Sequence, residues 1–192
     1  MADPVLHLLA GPNGSGKSTL WTYVLEPELH LEFVNADLIA LERWPRESER
    51  HAYEAAEIAA SRREELIAER RSFATETVFS HESKVDLVRQ AVEAGYLVTL
   101  HVLAVPELLA VDRVESRVEN GGHAVPEEKI RGRYSRLWAH VREAIALAEH
   151  AYVYDNTAAA TPFRPVAEFE RGSLLWSDWP AWVPDALSSL SP

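Results

Sequence analysis

The sequence predicts a single α/β domain: a mainly parallel sheet of five strands flanked by helices, with a helical lid and a C-terminal β-hairpin. Two observations predict this class. Short apolar and β-branched runs alternate with longer helix-like segments up to about residue 157, an order typical of parallel sheets covered by helices on both faces. A glycine-rich loop joins the first apolar run directly to the first helix-like segment. A chain of 192 residues has room for one well-cored domain, 1–192, and little for a second.

Local composition predicts each element in turn. Apolar or β-branched runs predict strands at 5–10, 31–36, 72–77, 96–105 and 151–154. The run YLVTLHVLAV is the strongest, because β-branched residues recur in it almost without interruption. Helices are predicted at 19–25, 48–71, 83–94, 106–119 and 126–150. Gly95 is typical of a helix C-terminus, whereas Pro106 and Pro126 suit the first turn of a helix.

The tail departs from this alternation. Residues 165–176 predict a β-hairpin that turns at Arg171–Gly172, and the hairpin and tail together occupy about 163–192. Trp179 and Trp182 follow in the segment WPAWVP. We interpret them as part of an edge hairpin and closing segment packed on the domain, with stacking on a ligand as the alternative.

Composition excludes several classes of partner and site. The chain carries 19 Lys and Arg against 30 Asp and Glu, a net charge of −11, which argues against DNA or RNA as the main partner. It contains no cysteine, so neither disulfides nor Cys-ligated metals contribute. We find no signal peptide before the first strand and no apolar run near the roughly 18 residues of a membrane span. We therefore expect a cytoplasmic protein without a membrane partner.

The loop after the first strand fits the pattern G-x-x-x-x-G-K-[ST] and predicts a nucleotide-phosphate site. Glycines let the backbone curl so that its N–H groups point at phosphate oxygens, and the following helix presents its positive end to the same anion. We expect Lys17 to be an exposed charge that reaches the β- and γ-phosphates, and the Ser18 hydroxyl to ligate Mg²⁺. The expected ATP-binding residues of the loop are Gly11, Pro12, Asn13, Gly14, Ser15, Gly16, Lys17, Ser18 and Thr19.

Polar residues at the ends of other predicted strands are expected near this loop, because ligands lie beyond the carboxyl ends of parallel strands. Asp37 follows the second strand, Glu76 and Thr77 close the third, and Asn156 follows the fifth. One carboxylate there can accept the proton of an attacking hydroxyl, while another helps to organise Mg²⁺ and its waters. The alternative for Asp37 is a helix N-cap before residues 38–44. We place Asn156 beside the adenine, and Thr77 is a candidate for contact with the substrate.

Two arginine-bearing helices predict a lid over the nucleotide at about 106–148. Each helix has two arginines on one face, namely Arg113 and Arg117 on the first and Arg133 and Arg136 on the second. Their guanidinium groups would neutralise charge on a transferring phosphoryl group. Gly121–Gly122 supplies a hinge, and His123 fits a turn residue better than a base. The alternative is a solvated helical hairpin in which the arginines pair with Glu115, Glu119, Glu127 and Glu128.

Together these residues resemble the zeta toxin family of P-loop kinases. The resemblance is carried by GPNGSGKST at 11–19, VNAD at 34–37, FATETVFS at 73–80, RVENGGHAVPEEKIRGRY at 117–134 and VYDNT at 153–157. It implies ATP-dependent phosphorylation of a sugar hydroxyl of UDP-N-acetylglucosamine. It also implies Asp37 as the catalytic base, Glu76 as a substrate-site carboxylate, and Arg117 and Arg133 as catalytic, phosphate-binding arginines acting with Lys17. Arg113 and Arg136 are added as substrate-site candidates.

The resemblance also implies a partner, a small helical antitoxin that covers the nucleotide site. The chain resembles a short chromosomal branch of the family and lacks much of the sequence from which longer members build their sugar-nucleotide pocket. Two other functions therefore stay open. One is a kinase for another small metabolite, such as a nucleoside, sugar or antibiotic. The other is a non-catalytic ATP-binding partner protein, which the presence of Asp37 disfavours because a switch needs no base.

Overall fold

A computed structural model describes residues 3–119 and 125–190. Its strands are β1 (Val5–Ala10), β2 (Glu32–Val34), β3 (Phe73–Thr77), β4 (Leu97–Ala104), β5 (His150–Asp155), β6 (Arg164–Glu170) and β7 (Ser173–Ser177). Its helices are α1 (Lys17–Leu20), α2 (Glu26–Leu29), α3 (Ala36–Arg43), α4 (Ala52–Ala68), α5 (Ser83–Glu93), α6 (Glu107–Glu119), α7 (Glu127–Leu147) and α8 (Asp185–Ser188). A wider π-helical turn, Trp21–Leu25, joins α1 to α2. The predicted strands and hairpin are all found, with ends that differ by at most two residues.

The sheet confirms the predicted mainly parallel α/β fold but is larger than expected. Its strand order is β2-β3-β1-β4-β5-β6-β7. The first five strands in this order pair in parallel, and the last two are antiparallel. The hairpin pairs with β5, where Glu168 lies opposite Tyr152, so the sheet has seven strands instead of the five predicted.

The topology determines where a ligand binds. The chain leaves β1 towards β2 and β3 on one side, and later runs from β4 to β5 on the other. The crevice at the carboxyl ends of β1 and β4 is therefore the switch point at which open parallel sheets bind ligands. The loop of residues 11–16 lies there, between the ends of β3 and β4.

Helices cover the two faces of the sheet unequally. The main core lies on one face, where β1 and β4 pack against buried side chains of α4, α5 and α7, among them Leu66, Val88 and Val141. A smaller core on the other face contains Leu20 and Trp21 from the helix after the loop. Burying apolar surface on both faces explains why the central strands are almost continuously apolar.

The smaller face also carries a row of rings on neighbouring strands. His7 of β1 and His101 of β4 stack with their ring centroids 5.4 Å apart, and their nitrogens Nδ1 and Nε2 are 3.1 Å apart. Tyr152 and Tyr154 of β5 extend the row next to His101. Burial, and to a smaller extent the neighbouring His7, lower the pKa of His101 to about 3.

The segment after the hairpin packs against the core, as predicted for a closing segment. Trp179 and Trp182 are half-buried against the main core, and the short α8, which was not predicted, buries Leu187 there. In the described parts of the chain, no helix is both long enough and apolar enough to cross a membrane.

Candidate active site

The loop between β1 and α1 forms an open anion cradle. Gly16 at the helix N-cap is left-handed, with φ +95°, and no side chain caps the first N–H groups of α1. A Cβ on Gly16 would lie 2.5 Å from Nδ2 of Asn156, so only glycine fits at this position. The buried Ser15 hydroxyl has no hydrogen-bond partner among the described residues. Free N–H groups at a helix start are the donors that bind phosphate.

Asn156 holds this loop in place. Its Nδ2 donates to the Ser15 carbonyl at 2.8 Å, and its Oδ1 accepts from the Phe163 N–H at 3.3 Å. Asn156 is 9% exposed, and its backbone N–H donates to the Ala104 carbonyl at 3.1 Å. Both ends of the amide therefore bind the protein. The contact of Asn156 with adenine stays a prediction.

Lys17 is not the exposed charge that we expected. It is the first residue of α1 and is 8% exposed, because its side chain folds back over the loop. Its Nζ donates to the carbonyls of Gly11 and Pro12, both at 3.0 Å. Burial lowers the pKa of Lys17, and Glu76 and Asp37 oppose this shift. Both carboxylates line the cleft beside the loop.

Ser18 and Glu76 form an oxygen pair at the mouth of the loop. The Ser18 hydroxyl donates to Oε2 of Glu76 at 2.9 Å, which ties α1 to the end of β3. Hydroxyl and carboxylate oxygens are the ligands that Mg²⁺ prefers, and Mg²⁺ in phosphate sites takes few protein ligands. The pair therefore fits the ion better than Ser18 alone, which was the ligand expected from the sequence. Thr77 follows in the cleft lining and accepts from the Phe79 N–H at 3.2 Å.

Asp37 lines the cleft but does not cap a helix, so that alternative is wrong. The N-cap of α3 is Asn35, whose Oδ1 accepts from the N–H groups of Asp37 at 2.7 Å and Leu38 at 3.2 Å. Asp37 itself lies in the first turn of α3 and is exposed to the cleft. Asparagine is a favoured N-cap, so the motif VNAD already contained this signal. Because Asn35 caps the helix, the Asp37 carboxylate is not used for capping and is available to a ligand in the cleft.

Three of the four candidate arginines lie at the loop. Arg113 donates to the Gly14 carbonyl at 3.5 Å and the Thr157 carbonyl at 3.4 Å. Arg133 donates to Oδ1 of Asn13 at 3.5 Å, and Arg117 lines the same cleft. The positive charges of Arg117 and Arg133 both lower the pKa of Lys17. The contacts of Arg113 and Arg133 are long, so these two guanidinium groups are weakly bound.

The fourth arginine lies apart from this group. Arg136 donates from Nε to the Ser80 carbonyl at 3.4 Å, on the loop between β3 and α5. Its role at the substrate, like that of Arg113, stays a prediction. Gly121, Gly122 and His123 lie outside the described residues.

A Glu–Arg pair does occur on the two helices, but on another arginine. Arg131 contacts Glu127 at 2.8 Å and Glu107 at 3.5 Å. Within residues 3–119 and 125–190, Arg113 and Arg133 make no ion pair with a carboxylate. For these two arginines the solvated-hairpin alternative does not describe the contacts.

The two halves of the predicted lid are anchored differently. Val111 and Val114 of α6 form a small separate cluster with Ile130 at the start of α7. From Leu137 to Ile145 the buried side chains of α7 belong to the main core. The lid over 106–148 stays a prediction, and from Leu137 onward α7 is anchored in the main core.

The cleft extends beyond the residues that the sequence indicated. Its volume is about 570 Å³, and its further wall contains a helix face and a loop. The residues not predicted for this wall are Ala56, Ala59, Arg63, Val78, Ser80 and Lys84. No local pattern distinguishes Arg63, because it lies among many Glu and Arg residues of one predicted helix.

Residues 1–164 match the family model described as Zeta toxin, which is most of the chain. The chain belongs to the Zeta toxin family. An uncharacterized protein of Haemophilus influenzae is 27% identical to it over 125 residues, which is 65% of this chain and 88% of that protein.

Solved structures share the fold of this Zeta toxin family member. A chain of the AvrRxo1-ORF1:AvrRxo1-ORF2 complex with sulphate ions superposes with a TM-score of 0.72 at 19% identity, over 91% of this chain. The present chain spans 61% of that chain's length, and the complex is also known with ATP. The PezAT chromosomal toxin–antitoxin system of Streptococcus pneumoniae gives a TM-score of 0.63 at 15% identity, over 100% of this chain and 79% of that one. At identities this low, the superpositions establish a shared fold and nothing more.

Proposed function

We propose that this protein is an ATP-dependent kinase that transfers the γ-phosphate of ATP to a hydroxyl of a small molecule. The favoured acceptor is a sugar hydroxyl of UDP-N-acetylglucosamine or a related nucleotide sugar. One observation carries the proposal: Asp37, Glu76, Arg117 and Arg133 line one cleft together with Lys17. A general base, a metal-organising carboxylate and phosphate-binding cations are the groups that phosphoryl transfer needs.

The triphosphate would bind to the loop of residues 11–19. Its oxygens would take the place of the Gly11 and Pro12 carbonyls as acceptors for the Lys17 ammonium. The uncapped N–H groups at the start of α1 would donate to the same phosphates. Ser18 and Glu76 would hold Mg²⁺, which neutralises phosphate charge when bound.

Asp37 would accept the proton of the acceptor hydroxyl. As that oxygen forms its bond to the γ-phosphorus, the bond from this phosphorus to the bridging oxygen breaks and ADP leaves. Arg117 and Arg133 would stabilise the charge on the phosphoryl group in transit. Among the described residues, the hydrogen bond that holds the Arg133 side chain is a 3.5 Å contact to Asn13, so this side chain can turn to the phosphate at little cost.

The motif resemblance supports the choice of acceptor, and the solved structures of similar fold support the choice of a protein partner. AvrRxo1-ORF1 is known in a complex with AvrRxo1-ORF2, and PezAT is a toxin–antitoxin system. A small helical antitoxin that covers the nucleotide site is therefore the partner we propose.

A product screen tests the proposal. The protein is incubated with Mg-ATP and a panel of nucleotide sugars, free sugars and nucleosides, and phosphorylated products are identified by mass spectrometry. Asp37→Asn should lower the transfer rate on the order of 10²–10⁴-fold without weakening ATP binding, because it removes the proton acceptor alone. Asp86→Asn makes the same chemical change on α5, where Asp86 contacts Arg89, and should be fully active.

Two results would contradict the proposal. Normal ATP binding without any phosphorylated product would favour the non-catalytic ATP-binding protein. Full activity of folded Asp37→Asn would remove Asp37 as the base. A product from a nucleoside or free sugar, with none from nucleotide sugars, would keep the kinase and replace its acceptor.

A further inference from the structure

Two cations on the further wall of the cleft have no role in the proposed chemistry. Arg63 lies on α4 and Lys84 at the start of α5, and both are half-buried in the cleft lining. Among the residues that the structure describes, neither makes an ion pair or a side-chain hydrogen bond. Their neighbours on the same helices behave differently: Arg62 contacts Glu32 at 2.7 Å, and Arg89 contacts Asp86 at 2.6 Å. Within the described residues, Arg63 and Lys84 thus face the cleft with no carboxylate paired to either of them.

The fold leaves open space in front of these cations. Ala56, Ala59 and Arg63 are three and four residues apart, so they share one face of α4. Ala56 is exposed and short, with Ala59 buried beneath it, so the cleft stays wide on this side, and Ser80 lies on the loop that leads from β3 to Lys84. An extended acceptor would pass over this small-residue floor from Asp37 towards the two cations.

The two charges repel each other and are partly desolvated. Burial lowers the pKa of Arg63 and of Lys84, and the charge of Arg63 lowers the pKa of Lys84 further. Glu64, the residue after Arg63, opposes the shift for Arg63. Holding two such cations together costs free energy in the absence of a ligand, and an anion bound between them would recover it.

We infer that Arg63 and Lys84 form an anion subsite for the acceptor, so the phosphorylated molecule carries a phosphate or carboxylate group apart from its reacting hydroxyl. The inference deepens the proposed kinase function and rests on it for the identity of the ligand as an acceptor. The diphosphate of a nucleotide sugar has this chemistry, as do sugar phosphates and sugar acids. Neutral sugars and nucleosides lack it.

Steady-state kinetics with matched acceptors provide the first test. N-acetylglucosamine is compared with its 1-phosphate and with UDP-N-acetylglucosamine, and glucose with gluconate. Arg63→Gln and Lys84→Gln should each raise KM for the anionic acceptors about 10- to 100-fold, as expected for one lost contact to a charged group. KM for ATP should not change. Arg89→Gln, which removes a charge from the exposed side of α5, should behave as the wild type.

A binding measurement separates this inference from the kinase proposal. Inorganic pyrophosphate and gluconate are titrated calorimetrically into protein saturated with Mg²⁺ and a non-hydrolysable ATP analogue, at constant ionic strength. The analogue blocks the phosphate loop. At least one anion should bind, more weakly by about tenfold or more in each glutamine variant and unchanged in Arg89→Gln. Which anion binds decides between phosphate and carboxylate.

The outcomes distinguish the two proposals. Binding that depends on Arg63 and Lys84, without phosphorylation of any acceptor, would keep the anion subsite and refute the kinase. Phosphorylation of neutral and anionic acceptors with equal KM, unchanged in the glutamine variants, would keep the kinase and refute the subsite. Absence of anion binding to the wild type, or equal binding to the variants, would also overturn it.

Discussion

Replacing Asn156 with alanine removes the side chain that ties the phosphate loop to the end of β5. Two polar groups then lose their partner: the carbonyl of Ser15, which is fully buried, and the N–H of Phe163, which is half-buried. An unsatisfied buried group costs about 1–3 kcal/mol, and the longer 3.3 Å bond to Phe163 is worth less than the 2.8 Å bond to Ser15. We expect the free energy of unfolding to fall by about 2–4 kcal/mol.

The same change should weaken phosphate binding, because Gly16 packs directly against Asn156 and the loop would no longer be held. We expect Kd to rise about tenfold for ATP, GTP and inorganic triphosphate alike, since each uses the loop. Thermal melts and calorimetric titrations of the three ligands measure both effects. Asn156→Asp is the matched variant: it keeps an acceptor for Phe163 but sets a carboxylate oxygen against the Ser15 carbonyl, so it should bind triphosphate as weakly as alanine or more so.

The pattern across ligands decides how Asn156 acts. If it contacts adenine, Asn156→Ala would weaken ATP binding and leave inorganic triphosphate unchanged. That result, together with an unchanged melting temperature, would refute the reasoning that Asn156 positions the loop.

Three further predictions concern other parts of the molecule. Lys17→Met should abolish phosphoryl transfer and lower the melting temperature slightly, because the Gly11 and Pro12 carbonyls lose a donor; near-normal turnover would contradict the assignment. Arg117→Ala and Arg133→Ala should each lower kcat more than ATP affinity, with poor rescue by lysine, whose ammonium lacks the two-pronged contact to phosphate; unchanged kcat in both would remove the lid from the mechanism. Burial lowers the pKa of His101 from 6.5 to about 3, so between these values the unfolded chain binds a proton that the folded chain does not. The free energy of unfolding should therefore fall as the pH falls below 6.5, by about 1.4 kcal/mol per pH unit. In His101→Leu, the free energy of unfolding measured by urea titration should depend less on pH in this range.

Local signals predicted the parallel part of the fold well. The strand β4 is buried over nearly its whole length, and its sequence is almost continuously apolar for that reason. The hairpin was also predicted, but not its place in the sheet. Pairing of β6 with β5 brings together residues far apart in sequence, such as Tyr152 and Glu168, and no local pattern encodes that contact.

The candidate site, like the fold, was only partly predictable from the sequence. The phosphate loop could be found from the sequence, because the backbone conformation that cradles phosphate requires glycines at particular spacings. Asp37 and Glu76 could be placed near it, because residues after parallel strands share one edge of a sheet. Whether Asp37 caps the helix needed the structure, since Asn35 and Asp37 are both favoured cap residues and the fold shows that Asn35 takes the cap.

The sequence by itself thus determined the fold class, the phosphate loop and the Zeta toxin motifs, all of which depend on residues close together in the chain. Tertiary structure alone decided three things: that Lys17 is buried, that Asn156 supports the loop, and that Arg63 and Lys84 line one cleft. The findings on Lys17, Arg63 and Lys84 depend on which face of a helix packs on the sheet and which faces the cleft, and the role of Asn156 depends on the loop lying beside the end of β5. Packing of distant segments sets that orientation, and an exposed charge and a cleft-facing charge look alike in sequence.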